Sequence, residues 1–243
     1  MSLLQRMSRV AAVTAGPLIF AQARRLRRET PRLPEAAKPW SGSIAGPNPM
    51  TLLVIGDSTA VGVGAATIDE ALPGNVAREL NAHWKRGVDW TTVGENGATT
   101  RDLLERFIDE ATTVSYDFIF LTIGANDALQ IRSRAAFGRD LKQLLKRLHA
   151  ASPTAKLLMS SLPAFYRFEL LPNPLRSSLY LHSQSLEAEA RSVVEAAGDI
   201  MSPPPPPYTE GFFASDLFHP SAKGYHDWAK FAIGDAFERG QLR

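Results

Sequence analysis

The chain has 243 residues, 44% hydrophobic and 21% charged, the composition of an ordinary globular protein of one full-sized domain. Cysteine is absent, which excludes disulfides, a thiolate nucleophile, a zinc ribbon and a cysteine-ligated cluster. The net charge of +2 conceals an excess of eight Lys/Arg over two acids in residues 1–50, the rest carrying 19 bases against 23 acids; the body lacks the basic surface that a nucleic-acid backbone requires, so no nucleic-acid partner is expected.

Residues 1–48 read as a basic and apolar N-terminal arm with a proline-rich connector, and residues 49–243 as the domain proper. Val10 to Phe20 is an apolar run of 11 residues flanked by arginines. It is far short of the roughly 20 residues of a spanning helix. It has the length of a signal-peptide core, with Ala21-Gln22-Ala23 resembling a cleavage site, but the arginines just beyond argue against easy export. Leu3, Met7, Val10, Thr14 and Leu18 recur at helical spacing. With the flanking arginines they fit a short helix lying in an anionic membrane surface, and a helix packed on its own protein fits equally well. Peripheral membrane contact through residues 1–28 is therefore an expectation, in a cytoplasmic or membrane-associated protein, with export through the signal-like N-terminus as the alternative. Pro31, Pro34, Pro39, Pro47 and Pro49 describe an extended connector.

The core begins after Pro49. Thr51 to Ile55 is a nearly all-apolar run stopped by Gly56, as suits a strand buried on both faces. A helix over Ala71 to Trp84 follows, then a weaker strand over Val88 to Val93. Thr99 to Glu110 has the spacing of a helix, with Thr99 or Thr100 as its cap. Phe118 to Ile123 is the clearest strand, followed by a helix over Phe137 to Ala150. Ala155 to Ser160 is another strand, Leu179 to Ala197 a long helix, Asp199 to Met201 a short strand and Ala222 to Phe237 the last helix. Strands separated by helices call for parallel pairing and right-handed crossovers, hence a three-layer α/β/α sandwich with a sheet of about five strands.

Sites in such sheets lie beyond the carboxyl ends of the strands. The first strand ends in Gly56-Asp57-Ser58-Thr59, placing a serine on a tight turn. A phosphate-loop reading fails because no lysine occurs in residues 56–66 and neither glycine-rich fingerprint is present. The second strand ends in Gly94-Glu95-Asn96-Gly97, before a helix whose first N–H groups lack partners. The third ends in Gly124-Ala125-Asn126-Asp127, where an asparagine amide can donate. Near the C-terminus, Asp216 precedes His219 by three residues, so its carboxylate can reach one ring nitrogen while the other faces the serine. Asp57 and Asp127 read as braces of their turns. His83, His149, His182 and His226 show no ligand spacing.

These four blocks, in this order over about residues 51–240, resemble the SGNH/GDSL hydrolase family, whose GDSL block stands here as Gly56-Asp57-Ser58-Thr59. The resemblance implies a flavodoxin-like sandwich and ester chemistry without metal or cofactor. Carried onto this chain, it makes Ser58 the nucleophile, His219 the base and Asp216 its orienting carboxylate. The oxyanion donors become the N–H groups of Ser58 and Gly97 with the Asn126 side chain. Gly94 competes for that role, but residues 96–100 match the family's strand-to-helix turn better.

For the substrate, the stretch from Leu162 to Leu171 follows the fourth strand and should border the site, through Phe165, Tyr166 and Phe168. Leu129 and Ile131 follow the third block, and Phe212, Phe213 and Phe218 flank the His219 loop. Apolar concave surface suits an acyl or aryl group. Pro203 to Pro207 is stiff, a rim or a spacer. The expectation is a serine esterase acting on short- to medium-chain acyl esters through an acyl-enzyme. Lysophospholipase, thioesterase, acyl transfer or carbohydrate deacetylase activity on the same site, and a non-catalytic binding protein on the same fold, are the alternatives.

Overall fold

The computed structural model describes residues 16–242. Its sheet is built from β1 (Ser41–Ile44), β2 (Met50–Gly56), β3 (Val88–Gly94), β4 (Phe118–Thr122), β5 (Lys156–Met159) and β6 (Ile200–Met201), in the spatial order β1-β3-β2-β4-β5-β6. All neighbours are parallel except β1, which runs antiparallel to β3 at the edge. β4 is buried throughout and β2 everywhere but Thr51, because both faces of a parallel sheet are covered by its crossover helices.

The helices are α1 (Gly16–Glu29), α2 (Leu72–Trp84), α3 (100–111), α4 (Ala125–Leu129), α5 (Arg134–Ala151), α6 (Leu175–Ala196) and α7 (Ala222–Glu238). Side chains alternate across each strand. Leu53, Ile55, Ile119, Leu121 and Met159 therefore meet the apolar stripes of α3, α5 and α6, while Leu52, Val54, Phe118, Phe120 and Leu158 meet α2 and α7. The result is the three-layer α/β/α sandwich. α3 opens with a capping box, in which Thr99 accepts from the Asp102 N–H and the Asp102 carboxylate accepts from the Thr99 N–H, and its middle turn, Leu103–Phe107, is π-helical.

Two expectations need correction. Among the described residues the sheet has six strands, and the additional one, β1, comes from the segment expected to be connector. Its sequence, Ser-Gly-Ser-Ile, carries no apolar run because an edge strand needs only one side chain in two to face inward. The second concerns the arm. Pro17 lies in the first described turn of α1. The packed face of α1 is Ile19, Ala23 and Leu26, against the same core as α6, whereas Leu18 is 55% exposed. The other members of the expected face, Leu3, Met7, Val10 and Thr14, lie outside the described residues. Gln22 fastens α1 to the body: its amide nitrogen donates to the Asn173 carbonyl at 2.8 Å and its oxygen accepts from the Leu175 N–H at 3.1 Å. Among the described residues no helix is long and apolar enough to cross a membrane.

Candidate active site

The carboxyl ends of β2, β3 and β4 are drawn together by glycine. Gly56 pairs with Gly94 on one side and with Thr122 on the other. A Cβ on Gly56 would collide with the Thr122 carbonyl and one on Gly94 with the Gly56 carbonyl, so no other residue fits this approach. The chain then turns sharply. The Asp57 N–H donates to the Thr122 carbonyl at 3.2 Å, and one Asp57 oxygen accepts from the Thr59 N–H (3.1 Å) and hydroxyl (3.0 Å). Ser58 stands at the crest of this turn, largely buried.

The segment from Ala214 to Ser221 approaches Ser58 from the opposite end of the chain. It is closed by the Ala214 N–H donating to the His219 carbonyl at 2.8 Å, and Ser221 caps α7 by accepting from the Gly224 N–H. One oxygen of Asp216 accepts the N–H groups of Phe218 (3.0 Å) and His219 (2.9 Å). Leu217, between Asp216 and Phe218, is held at a φ of 54°, a left-handed conformation that costs a leucine about 1–2 kcal/mol. The other Asp216 oxygen lies 2.6 Å from His219 Nδ1, and His219 Nε2 lies 3.1 Å from Ser58 Oγ. Burial pushes the Asp216 carboxyl up. The hydrogen bonds from the His219 ring and the Phe218 and His219 N–H groups, with the histidine's charge, outweigh it and hold the group below the usual carboxylate range. The three expected residues, 161 positions apart at their extremes, thus form one hydrogen-bonded chain.

The remaining blocks border the same point. Asn126, the second residue of α4, donates from Nδ2 to the Ala98 carbonyl at 3.0 Å, with Asp57 Oδ2 at 3.5 Å. Gly97, at a φ of 88°, has open space where a Cβ would be, unlike Gly94, which the strand pair consumes. Among the described residues neither the Ser58 nor the Gly97 N–H meets an acceptor. Behind Asn126, buried Asp127 accepts from the Thr100 N–H (2.9 Å), the Thr100 hydroxyl (3.0 Å) and Arg132 (3.0 Å), tying α4 to α3.

Next to Ser58 and His219 is an apolar cavity of about 70 Å³ walled by Leu162, Phe168, Tyr208, Phe212, Phe213 and Phe218, with Pro205 at its border. Of the expected wall residues, Phe168, Phe212, Phe213 and Phe218 are therefore brought to the site, whereas Phe165, Tyr166, Leu129 and Ile131 are not. Phe165 is fully buried beneath Phe168 and Phe218. Tyr166 is exposed and packs on Tyr180 and Arg167. Leu129 lines a separate groove beneath α1. The proline run contributes to the border, pinned by Arg167, whose Nη1 donates to the Pro205 and Pro206 carbonyls at 2.6 Å. Tyr208 and Trp228, which line the cavity, had no distinguishing signal: one follows the prolines and the other sits in the apolar stripe of α7. Nor did Thr30–Leu33 of the arm, which wall a cleft on the outer side of His219. The other histidines lie elsewhere, His83 stacked on Phe237 and His149 bonded to Asp199 at 2.9 Å.

The sequence model of the GDSL-like lipase/acylhydrolase family matches residues 54–226. The GDSL-like esterase Rv1075c of Mycobacterium tuberculosis is 26% identical over 183 residues, 72% of this chain and 57% of that protein, so the chain spans little more than half of that relative's length. Solved structures with the same fold include the lipase/acylhydrolase from Enterococcus faecalis, with a TM-score of 0.58 and 20% identity over 78% of this chain and 96% of that one. The psychrotrophic esterase EstA from Pseudoalteromonas sp. superposes with a TM-score of 0.57 and 15% identity, covering 79% and 99%.

Proposed function

From the premise that the chain belongs to the GDSL-like lipase/acylhydrolase family, we propose that it hydrolyses carboxylic esters of short- to medium-chain acyl groups through an acyl-enzyme on Ser58. The observation that carries this reading is the chain Ser58–His219–Asp216, at 3.1 and 2.6 Å, opening on a small apolar cavity. A serine hydroxyl attacks an ester only if a base takes its proton, and His219 Nε2 is within reach of it. Asp216 fixes the ring with its proton on Nδ1 and stabilises the imidazolium. As Ser58 Oγ bonds to the carbonyl carbon, negative charge gathers on the carbonyl oxygen, where the Ser58 and Gly97 N–H groups and the Asn126 amide stabilise it. The C–O bond to the alcohol then breaks and His219 returns the proton to the leaving oxygen. Water repeats the sequence in reverse roles, releasing the acid and restoring Ser58.

The test is hydrolysis of p-nitrophenyl acetate, butyrate, octanoate and palmitate by the purified protein and by Ser58→Ala. Turnover that depends on Ser58 and favours the shorter chains is expected. Equal rates for the two proteins would overturn the assignment.

One observation favours a membrane surface as the place of action. Leu18 and Phe20 of α1 are 55% and 68% exposed, and Arg24 and Arg28 of the same helix are exposed as well. Apolar side chains beside cations suit an anionic lipid surface. Co-sedimentation with phosphatidylserine vesicles should fall in a Leu18→Glu, Phe20→Glu double variant, and unchanged sedimentation would rule this contact out.

A further inference from the structure

Phe218 separates two apolar spaces of very different size. On its Ser58 side is the cavity of about 70 Å³. On its other side a groove of about 620 Å³ runs beneath α1, with Ile19, Ala23 and Leu26 of the helix and Leu171, Leu175 and Leu179 of the body among its walls. A third space, the cleft at His219, borders both: it shares Phe218 and His219 with the cavity, and Thr30 and Phe218 with the groove, and Asn96 and Asp216 also line it. The groove falls within the roughly 300–1,000 Å³ of clefts that bind small ligands, and the Ser58 cavity is far below it. Because α1 lies outside the residues that match the family, family membership does not supply this groove; the arm builds it.

We propose that the groove beneath α1 binds the alkyl chain of the alcohol half of the ester, a reading that rests on the esterase function above. The leaving oxygen must come within reach of His219 Nε2 to be protonated. Besides the Ser58 cavity, the other space that borders the His219 ring is the cleft, which Asn96 also lines and which shares Thr30 and Phe218 with the groove. The Ser58 cavity holds the short acyl group, and a long chain on the leaving side reaches apolar walls in the groove after passing the mixed polar and apolar cleft of Thr30–Leu33 and Asn96. The walls suit it: apart from Thr30, Ser178 and Arg24, every lining residue other than Gly16 has an apolar side chain, and no acid is present to recognise a polar headgroup. The class of substrate is thus a short acyl ester of a long-chain alcohol, and α1 is its specificity element.

Two measurements test this, one of them independent of catalysis. Calorimetric binding of decan-1-ol is compared in the wild-type protein and in two variants that fill the groove from opposite walls, Ala23→Trp on α1 and Ser178→Trp on α6. Affinity should fall by about tenfold or more in both, as expected when several methylenes lose their buried surface. Absent binding, or binding that neither variant weakens, overturns the groove. The ratio of kcat/KM for decyl acetate to that for ethyl acetate should fall by a similar factor, while the p-nitrophenyl acyl series keeps its order of preference. A change confined to the acyl series overturns the assignment to the alcohol half. Decan-1-ol binding that depends on the groove, in a protein without Ser58-dependent hydrolysis, would sink the esterase reading and leave the groove as a chain-binding site.

Discussion

The Asp57 carboxylate and the Asn126 amide stand 3.5 Å apart, oxygen to nitrogen, across the ends of adjacent strands. Burial pushes the Asp57 carboxyl up to about 6 from its ordinary 3.8, against the opposing hydrogen bonds from Thr59 and the charge of His219. The folded protein therefore keeps this proton over a range of pH in which the unfolded chain has lost it. Folded protein binding more protons means that stability from this group falls as pH rises from about 4 to about 6, by about 3 kcal/mol in all. In Asp57→Asn that loss is absent. Urea unfolding at about pH 4 and pH 7 should show the wild type losing about 3 kcal/mol relative to the variant; parallel behaviour of the two would show that Asp57 does not titrate in this window.

Asn126→Ala removes the amide proposed above as an oxyanion donor. Its kcat/KM for p-nitrophenyl butyrate should fall by about two to three orders of magnitude, or about 3 kcal/mol, with KM little changed. Ester hydrolysis at the wild-type rate would remove Asn126 from the mechanism.

Phe213 packs its ring against Phe168 at 5.1 Å, Tyr208 at 5.1 Å and Phe212 at 5.2 Å, forming one wall of the Ser58 cavity. Phe213→Ala enlarges that cavity. The preferred p-nitrophenyl ester should move to a longer acyl chain, and the fold should weaken by about 3 kcal/mol or somewhat less, since Phe213 is only partly buried. An unchanged chain-length order would place the acyl group elsewhere.

Arg132 bridges two buried acids, Asp127 at 3.0 Å and Asp140 at 2.5 Å. Burial holds Asp127 above the usual carboxylate range even with Thr100 and Arg132 bonded to it. Arg132→Ala leaves both carboxylates without their cation and should cost about 3–5 kcal/mol in urea unfolding. A loss below about 1 kcal/mol would mean that water replaces the guanidinium.

Much of this was legible in the sequence because the central strands are short apolar runs ended by glycine. Thr51 to Ile55 and Phe118 to Ile123 announce themselves, and the residues just beyond them had to be at the site. β1 was not legible, since half of its four residues face solvent and its partner, β3, supplies the hydrophobic contacts. The aromatic wall was legible only in part. Phe165 and Tyr166 are consecutive in a single 3-10 turn, Phe165–Arg167, which sends one ring into the core and the next to the surface. Composition cannot distinguish such neighbours. Nor can it foresee that Thr30–Leu33, remote from every motif, come to wall the His219 cleft.

The arm is fastened at two points, by Gln22 to the loop before α6 and by β1 to β3, with the Ala36 and Ala37 N–H groups donating to the carbonyls of Val61 and Ala66 between them. Anyone shortening this protein for crystallisation or display would be tempted to begin at residue 49, where the recognisable motifs start. That cut would expose the bonding edge of β3 and invite pairing between molecules. It would also remove one side of the channel by which an alcohol leaves. A start ahead of Gly16 keeps the edge sealed and the exit walled.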